Sequence, residues 1–281
     1  MKLQISAKQN AAVENVLRQA AAALQAGRAQ EAERGANHVL AQHRKHPGAS
    51  QLLGMALLDQ NRAGEAIGPL QDAHRARPNA AAETYLAKAF RRTGRSPEAL
   101  TLLEQAIARQ PPLPHAFFEL GTLFYEQGRL AEALDMLERG MKIAPQIIEF
   151  SLVIGNICID LGRCNRAETA FARVLVGAPS HPDALRGLGC AFMGRGEFAL
   201  AAERLTRALA SNPNDARAQL LLATCLFELG KADEAVERLR SLVRTTPQLV
   251  GQAVKAMTEA GRGRLWLKPS AAAEFLGLKN S

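Results

Sequence analysis

Apolar residues recur along this chain in pairs of helical stripes that short polar turns separate. Between Phe117 and Pro145, apolar residues three or four positions apart run through two stretches of about a dozen residues, the spacing of an amphipathic α-helix. The dipeptide Gly128-Arg129 separates the two stretches, and Pro145 follows the second. The pattern predicts two helices joined by a tight turn.

The same skeleton recurs at a spacing of 34 residues, and three sets of positions keep that step. The sets are Gly94, Gly128, Gly162, Gly196 and Gly230; Ala99, Ala133, Ala167, Ala201 and Ala235; and Pro111, Pro145, Pro179, Pro213 and Pro247. Repeats two to seven are predicted to begin near Pro47, Ala80, Pro114, Ile148, Pro182 and Ala216. In repeat two Asn61 replaces the turn glycine, and asparagine also tolerates the left-handed conformation. One helix pair cannot bury its apolar face alone, so such units stack into a solenoid.

This repeat resembles the tetratricopeptide repeat family. The resemblance rests on a large residue before Leu-Gly, an aromatic residue after it, Ala-x-x-x-Leu in the second helix and a closing proline: Phe117, Leu120, Gly121, Phe124, Ala133, Leu137 and Pro145. It covers residues 13–247 and implies an all-α, right-handed superhelical solenoid of about seven helix pairs with a C-terminal capping helix and a short tail. We accordingly expect an N-terminal leader in residues 1–12, the repeat array in 13–247, a capping helix in 248–260 and a tail with a short helix in 261–281.

Composition and charge limit the kinds of partner and the compartment that we expect. The net charge of +8 lies mainly toward the two ends, but no Lys/Arg run exceeds two residues, which argues against nucleic-acid binding. The N-terminus has no apolar signal-peptide core, no apolar run has membrane-spanning length, and we expect a cytoplasmic protein. The four cysteines are interpreted as small buried hydrophobic residues: Cys158, Cys164, Cys190 and Cys225.

Known catalytic and cofactor motifs are absent from the sequence. It contains no phosphate-binding glycine loop, no H-E-x-x-H and no G-x-S-x-G, so we expect no enzyme activity and no cofactor. His38, His43 and His46 could share one side of a helix, but they fall at its irregular basic end and are interpreted as solvated side chains rather than metal ligands.

The family resemblance implies where a ligand binds, because the first helix of each pair lines the concave surface in such proteins. Mapping the family's inward positions onto this chain gives a candidate groove of Phe118, Tyr125, Leu152, Asn156, Ile159, Arg186, Met193, Leu220, Leu221 and Phe227. Some family members grip a partner's C-terminal carboxylate with a Lys and Asn clamp. Asn156 matches the asparagine and Arg186 could supply a cation, but Leu152 stands where the lysine belongs. We therefore favour an amphipathic helix or extended peptide with apolar anchors.

Four acidic residues, Asp59, Glu126, Asp160 and Glu228, share one repeat position and could form an acidic row along the groove. Each precedes a basic residue by three positions: Arg62, Arg129, Arg163 and Lys231. We interpret the row as ion pairs at the helix ends rather than as a site for a basic ligand.

The leading functional hypothesis is a scaffold or adaptor that binds a protein or peptide in the concave groove. Two alternatives stay open: a self-assembling structural protein and a specificity module for a separately encoded enzyme. Trp266 and Phe275 in the tail are candidate contacts, with the last repeat, with a partner or with a second copy.

Overall fold

The computed structural model describes residues 2–259, with side chains for residues 11–258. Within these residues the chain forms fifteen α-helices and a short 3-10 helix, and it contains no strand. The helices are α1 (Lys2–Gln25), α2 (Ala29–Gln42), α3 (Pro47–Asp59), α4 (Ala63–Ala76), α5 (Ala80–Arg92), α6 (Ser96–Ala108), α7 (Pro114–Glu126), α8 (Leu130–Ile143), α9 (Ile148–Asp160), α10 (Cys164–Gly177), α11 (Pro182–Gly194), α12 (Phe198–Ser211), α13 (Ala216–Glu228), α14 (Ala232–Thr245) and α15 (Val250–Glu259), with the 3-10 helix at Pro247–Leu249. The all-α prediction is confirmed.

The chain divides into two compact units, Met1–Pro145 and Gln146–Ser281, which we call the N-terminal and C-terminal units. The N-terminal unit holds the helix pairs from α1–α2 to α7–α8, and the C-terminal unit holds α9–α10, α11–α12 and α13–α14, followed by α15. Within each unit, each helix packs on its neighbours in sequence, so each unit is a stack of helix pairs. This arrangement confirms the predicted solenoid of repeats.

First and second helices of the pairs are not equivalent in these stacks. In the C-terminal unit α9 contacts α11, α11 contacts α13, and α13 contacts α15, whereas no contact joins α10, α12 and α14 to one another within the described chain. The N-terminal unit follows the same rule, with α1, α3, α5 and α7 in contact in that order. The first helices thus form one continuous surface in each unit, which we call its inner face.

The turn within a pair depends on one residue in the left-handed conformation. Gly128 has φ 74°, and the N–H of Arg129 donates to the carbonyl of Phe124 at 2.9 Å, the 6→1 bond of a Schellman motif. At the equivalent position Asn61 has φ 61°, as its replacement of the glycine predicted. This turn reverses the chain and makes the two helices of a pair antiparallel.

Arg62, in the turn between α3 and α4, pairs with residues that the sequence analysis did not predict. Its guanidinium lies 2.6 Å from the carboxylate of Glu65 and 2.9 Å from that of Glu33, not against Asp59. The side chain of Arg62, which follows Asn61 in the turn, extends toward the start of the second helix, because its backbone already lies beyond the end of the first helix. The interpretation of Asp59 as an ion-pair partner of Arg62 is therefore wrong.

The same correction applies to Glu126. Arg129 donates to Glu132 at 2.7 Å and stacks on the Phe124 ring at 4.0 Å, while Glu126 pairs with Arg91 of the preceding repeat. The forward pairs recur in the first four repeats, as Arg28–Glu31, Arg62–Glu65, Arg95–Glu98 and Arg129–Glu132. For Asp160 and Glu228 the ion-pair interpretation stays a prediction.

Two glycines of the array face a large side chain at close range. Phe171 of α10 is fully buried between α9 and α11. A Cβ atom on Gly155 would lie 2.6 Å from its ring, and one on Gly187 would lie 2.3 Å from it. Both glycines are therefore required by the space that this ring fills.

At the two ends of the array, the structure bears differently on the predicted leader, capping helix and tail. Helix α1 begins at Lys2 and so includes most of the segment 1–12 that we expected to be a leader. Helix α15 lies within the segment 248–260 expected to form the cap, and it packs against α13 and α14. The predicted tail, with Trp266 and Phe275, lies outside the described residues.

Candidate functional site

The inner face of the C-terminal unit carries a stripe of side chains on each of its first helices. On α9, Leu152, Asn156 and Ile159 recur at the spacing that places residues on one side of a helix. Arg186 and Met193 form the equivalent stripe on α11, and Leu220 and Leu221 lie on α13. Since α9, α11 and α13 contact one another in order, these stripes lie side by side.

Most side chains of this surface are apolar, and they remain partly exposed to solvent. Leu152, Ile159, Met193, Leu220 and Leu221 are all partly exposed, and Asn156 is exposed. We call these six residues together with Arg186 the C-terminal inner face. Large apolar side chains on the three first helices α9, α11 and α13 leave apolar area that a ligand can cover.

Phe227 does not belong to this surface. Its side chain is fully buried, with 0% exposure, although Ile159 and Met193 occupy the same repeat position and are partly exposed. Position within the repeat therefore does not by itself decide whether a side chain faces the groove. The prediction of Phe227 as a groove residue is wrong, and the residue is part of the core.

The N-terminal unit presents a different inner face, in which ion pairs predominate. Glu119 of α7 is nearly buried, and its carboxylate lies 2.8 Å from Arg91 and 3.6 Å from Lys88, both on α5. Burial, together with the nearby carboxylates of Asp59 and Glu119, raises the pKa of Tyr85. These charges hold α5 against α7 and leave this face polar.

Phe118 and Tyr125, the two groove residues predicted in the N-terminal unit, lie on α7 and are partly exposed. Thr122, between them, donates its hydroxyl hydrogen to the carbonyl of Phe118 at 2.8 Å. The structure therefore leaves both aromatic side chains within reach of solvent beside the ion pairs of Glu119. Their assignment to a ligand groove stays a prediction.

Two protein-family models match parts of this chain. Both describe tetratricopeptide repeats, and they match residues 86–146 and 192–258, one stretch in each set of helix pairs. The chain belongs to the tetratricopeptide repeat family. No curated protein sequence matches the chain.

Solved structures of tetratricopeptide repeat proteins share the fold at low sequence identity. The crystal structure of the APC/C hetero-tetramer Cut9–Hcn1 matches with a TM-score of 0.74 and 17% identity over 86% of this chain and 48% of that one, so this chain spans about half its length. PilF of Pseudomonas aeruginosa matches with a TM-score of 0.64 and 20% identity over 72% and 92% of the two chains. YrrB, a tetratricopeptide repeat protein with an unusual peptide-binding site, matches with a TM-score of 0.51 and 20% identity over 65% and 95%. These likenesses show the fold. Tetratricopeptide repeats, which the family models match, support a protein-interaction scaffold in general.

The cation of the hypothetical carboxylate clamp is already paired within this tetratricopeptide repeat protein. The guanidinium of Arg186 lies 2.5 Å from Asp215 and 2.6 Å from Asp183. Asp215 also caps α13, because its carboxylate accepts the N–H of Ala218 at 3.0 Å. Arg186 therefore ties α11 to α13, and a ligand carboxylate would have to displace two acidic side chains to reach it.

Asp215 is a residue that the sequence analysis missed. Burial alone would raise the pKa of its carboxyl group, but the N–H of Ala218 and the guanidinium of Arg186 outweigh that effect and lower it. An acidic residue immediately before a predicted helix is an N-cap signal, which could have identified its capping role but not its partner 29 positions earlier.

Other candidate chemistry in the tetratricopeptide repeat array has structural explanations. His46 caps α3 by accepting the N–H of Ala49 at 3.2 Å, and His38 contacts Gln42 at 3.3 Å. Burial raises the pKa of Cys225 to about 12, so the thiol stays protonated at neutral pH.

Across residues 11–258, no group of three or more His, Cys, Asp or Glu side chains is arranged to hold a metal ion. Between residues 2 and 259, no helix combines the length and the apolar character that crossing a membrane requires.

Proposed function

We propose that this tetratricopeptide repeat protein is an interaction scaffold that holds an amphipathic helix or an extended peptide of a partner protein against the C-terminal inner face. The observation that carries the proposal is the continuity of partly exposed aliphatic side chains across α9, α11 and α13. A peptide that covers such a surface needs apolar side chains at a regular spacing, which both a helix face and alternate residues of a strand supply.

The apolar area sets the expected strength of binding. Covering three or four large aliphatic side chains is worth roughly 5–10 kcal/mol before the cost of ordering the peptide. A dissociation constant of about 1 μM requires roughly 8 kcal/mol, which lies within that range, so we expect binding that is micromolar rather than nanomolar. Because Arg186 is paired with Asp183 and Asp215, recognition of a terminal carboxylate contributes little, and apolar anchors provide most of the affinity.

The proposal is tested with the double variant Leu152→Asp/Leu221→Asp, which places one carboxylate on α9 and one on α13. Both positions are partly exposed, so the fold tolerates the change better than at Phe227. Proteins captured from a lysate of the source cells by the wild-type chain are identified by mass spectrometry, and the purified partner is then titrated against each variant by calorimetry. We expect affinity to fall roughly 100-fold in the double variant.

The matched control is Val176→Asp, which adds a carboxylate at a side chain of α10 that is 86% exposed and lies on a second helix. This control should bind the partner like the wild type. Unchanged affinity in the double variant would contradict the proposal, as would an equal loss in the control.

A separate measurement of molecular mass distinguishes self-assembly from partner binding. Light scattering of the wild-type chain over a range of concentrations should give the mass of a monomer under this proposal. A concentration-dependent increase that Leu152→Asp/Leu221→Asp removes would instead favour the structural alternative.

A further inference from the structure

A second apolar depression lies in the C-terminal unit, away from the stripes of the inner face. It has a volume of about 530 Å³ and lies between the turn that joins α11 to α12 and the end of α13. Phe198, Leu200 and Leu229 supply its apolar lining, and Glu197 and Glu228 lie among the lining residues. We call it the turn-edge pocket. Its volume falls in the range of sites that bind a large side chain or a small ligand.

The lining of this pocket departs from the repeat pattern. In repeats one to four the turn arginine pairs with a glutamate three residues later, as in Arg129–Glu132. Repeat six has Glu197 at the arginine position and Leu200 at the glutamate position, so this ion pair is lost and replaced by an apolar side chain. At the position before the turn glycine or Asn61, repeats two and four have Gln60 and Gln127, whereas repeats five and seven have Leu161 and Leu229.

The substitutions leave apolar area exposed. Leu200 is 42% exposed and Leu229 is 41% exposed, two of four large hydrophobic residues that are this exposed within the described chain. Repeats two and four fold the same turn with glutamine at the Leu229 position and glutamate at the Leu200 position, so folding does not require leucine at either position. The pocket therefore has the features of a binding site for an apolar side chain.

A segment with matching chemistry follows α15 in the same chain. Residues 262–268 read Arg-Gly-Arg-Leu-Trp-Leu-Lys, which places the chain's single tryptophan, Trp266, among two leucines and three basic residues. The lining consists of apolar side chains and two carboxylates, with no basic residue among them, although Glu197 lies 2.9 Å from Arg195 and Glu228 also interacts within the chain. Shape and charge are thus complementary.

Chain connectivity puts this segment within reach. Short connections make α14 antiparallel to both α13 and α15, so α13 and α15 run parallel and their C-terminal ends lie at the edge that carries the pocket. Helices in contact lie about 8–10 Å apart, so the pocket is within roughly 20 Å of the end of α15. The seven residues from Glu259 to Trp266 span up to about 23 Å when extended.

We propose that the turn-edge pocket binds residues 262–268 of the same chain, with the Trp266 side chain covering Leu200 and Leu229. This site is distinct from the C-terminal inner face. It leaves that face open to a partner, so the two proposals succeed or fail independently.

Trp266 provides a direct test in the full-length chain, because it is the single tryptophan and all indole fluorescence reports on it. We compare the wild-type chain with Leu200→Gln/Leu229→Gln, which removes the apolar lining without adding charge and uses a side chain that repeats two and four already have before the turn glycine. The matched control is Val176→Gln on α10. The measurements are the emission maximum and acrylamide quenching, with circular dichroism to verify that helix content is unchanged.

The expected result has two parts. In the wild type and in Val176→Gln, emission lies to the blue of that of the urea-unfolded chain and quenching is several-fold weaker. In Leu200→Gln/Leu229→Gln, emission shifts to the red and quenching rises toward the unfolded value. A wild-type tryptophan as accessible as in urea overturns the proposal, and so does blue-shifted emission that the double variant does not change. A blue shift that disappears on dilution also overturns it, since the occupant would then be a second copy.

Discussion

Asp215 shows how one side chain combines two structural roles. It accepts the N–H of Ala218 at the start of α13, and it pairs with Arg186 of α11. Neither role requires an unusual residue, but together they lower the pKa of the carboxyl group in spite of burial. The stability of this contact should therefore depend on pH.

We predict that Asp215→Asn lowers the melting temperature at pH 7, since asparagine keeps the cap but lacks the charge that pairs with Arg186. A carboxyl group whose pKa is lowered in the folded state stabilises the protein fully above its unfolded value, 3.8, and that contribution is lost as the pH falls through the lowered folded value. The difference in melting temperature between wild type and variant should therefore be constant from pH 7 to 5 and should vanish in stronger acid. Differential scanning calorimetry across this range measures it; a difference that persists below pH 2 would show that the charge is not the cause.

Between elements, the contact of Phe171 with two glycines sets how closely α9, α10 and α11 approach. The equivalent residue of the adjoining repeats is leucine, at Leu137 and Leu205, and the smaller side chain needs less space. The larger ring is accommodated by Gly187, which has no counterpart in the neighbouring first helices: Val153 and Leu221 occupy its position. A large residue at position 171 is thus matched by a small one at position 187. We therefore expect the effects of substitutions at Phe171 and Gly187 on the free energy of unfolding to be coupled.

We predict that Gly187→Ala destabilises the protein by about 1–3 kcal/mol, because its Cβ would lie 2.3 Å from the Phe171 ring. In the Phe171→Leu background the same substitution should cost much less, since the smaller side chain frees the space. Urea denaturation of the wild type, both single variants and the double variant gives the coupling free energy.

Gly68→Ala is the control for this cycle, because that glycine lies inside α4 and has no atom within 4 Å of its Cβ position. It should be neutral or stabilise by up to about 1 kcal/mol. Additive effects of Gly187→Ala and Phe171→Leu would contradict the coupling.

The repeat period predicts the elements well because every pair uses the same local signals. Helices α7, α9 and α11 begin at Pro114, Ile148 and Pro182, as the spacing predicted. Side-chain partners were predicted less well. The direction in which Arg62 and Arg129 point depends on the geometry of the turn. Phe227 is buried although Ile159 and Met193 at the same repeat position are partly exposed, so neither feature follows from a position within one repeat.

At the scale of the whole molecule, the two units use their inner faces differently. The inner face of the N-terminal unit carries buried and partly buried ion pairs around Glu119. The inner face of the C-terminal unit carries aliphatic side chains. Within each unit, helices contact only near neighbours in sequence, so stability is approximately a sum of local terms. A defect should therefore stay local.

We predict that Leu70→Ala, which truncates a fully buried side chain of α4, lowers the local opening free energy by about 2–5 kcal/mol. Hydrogen exchange followed by mass spectrometry should show the loss of protection in α3, α4 and α5, with α7 and α8 nearly unchanged. Equal loss along the entire N-terminal unit would instead indicate cooperative unfolding of that unit.

The contact between Phe171 and Gly187 also limits how this array can be rearranged. Tandem repeats are commonly treated as interchangeable modules that can be duplicated, deleted or shuffled, but the fifth and sixth repeats of this chain are a matched pair. If the sixth repeat were deleted, the seventh would present Leu221 to the Phe171 ring in place of a glycine. An engineered array built from these repeats must therefore keep the fifth and sixth together, or replace Phe171 with leucine at the new junction.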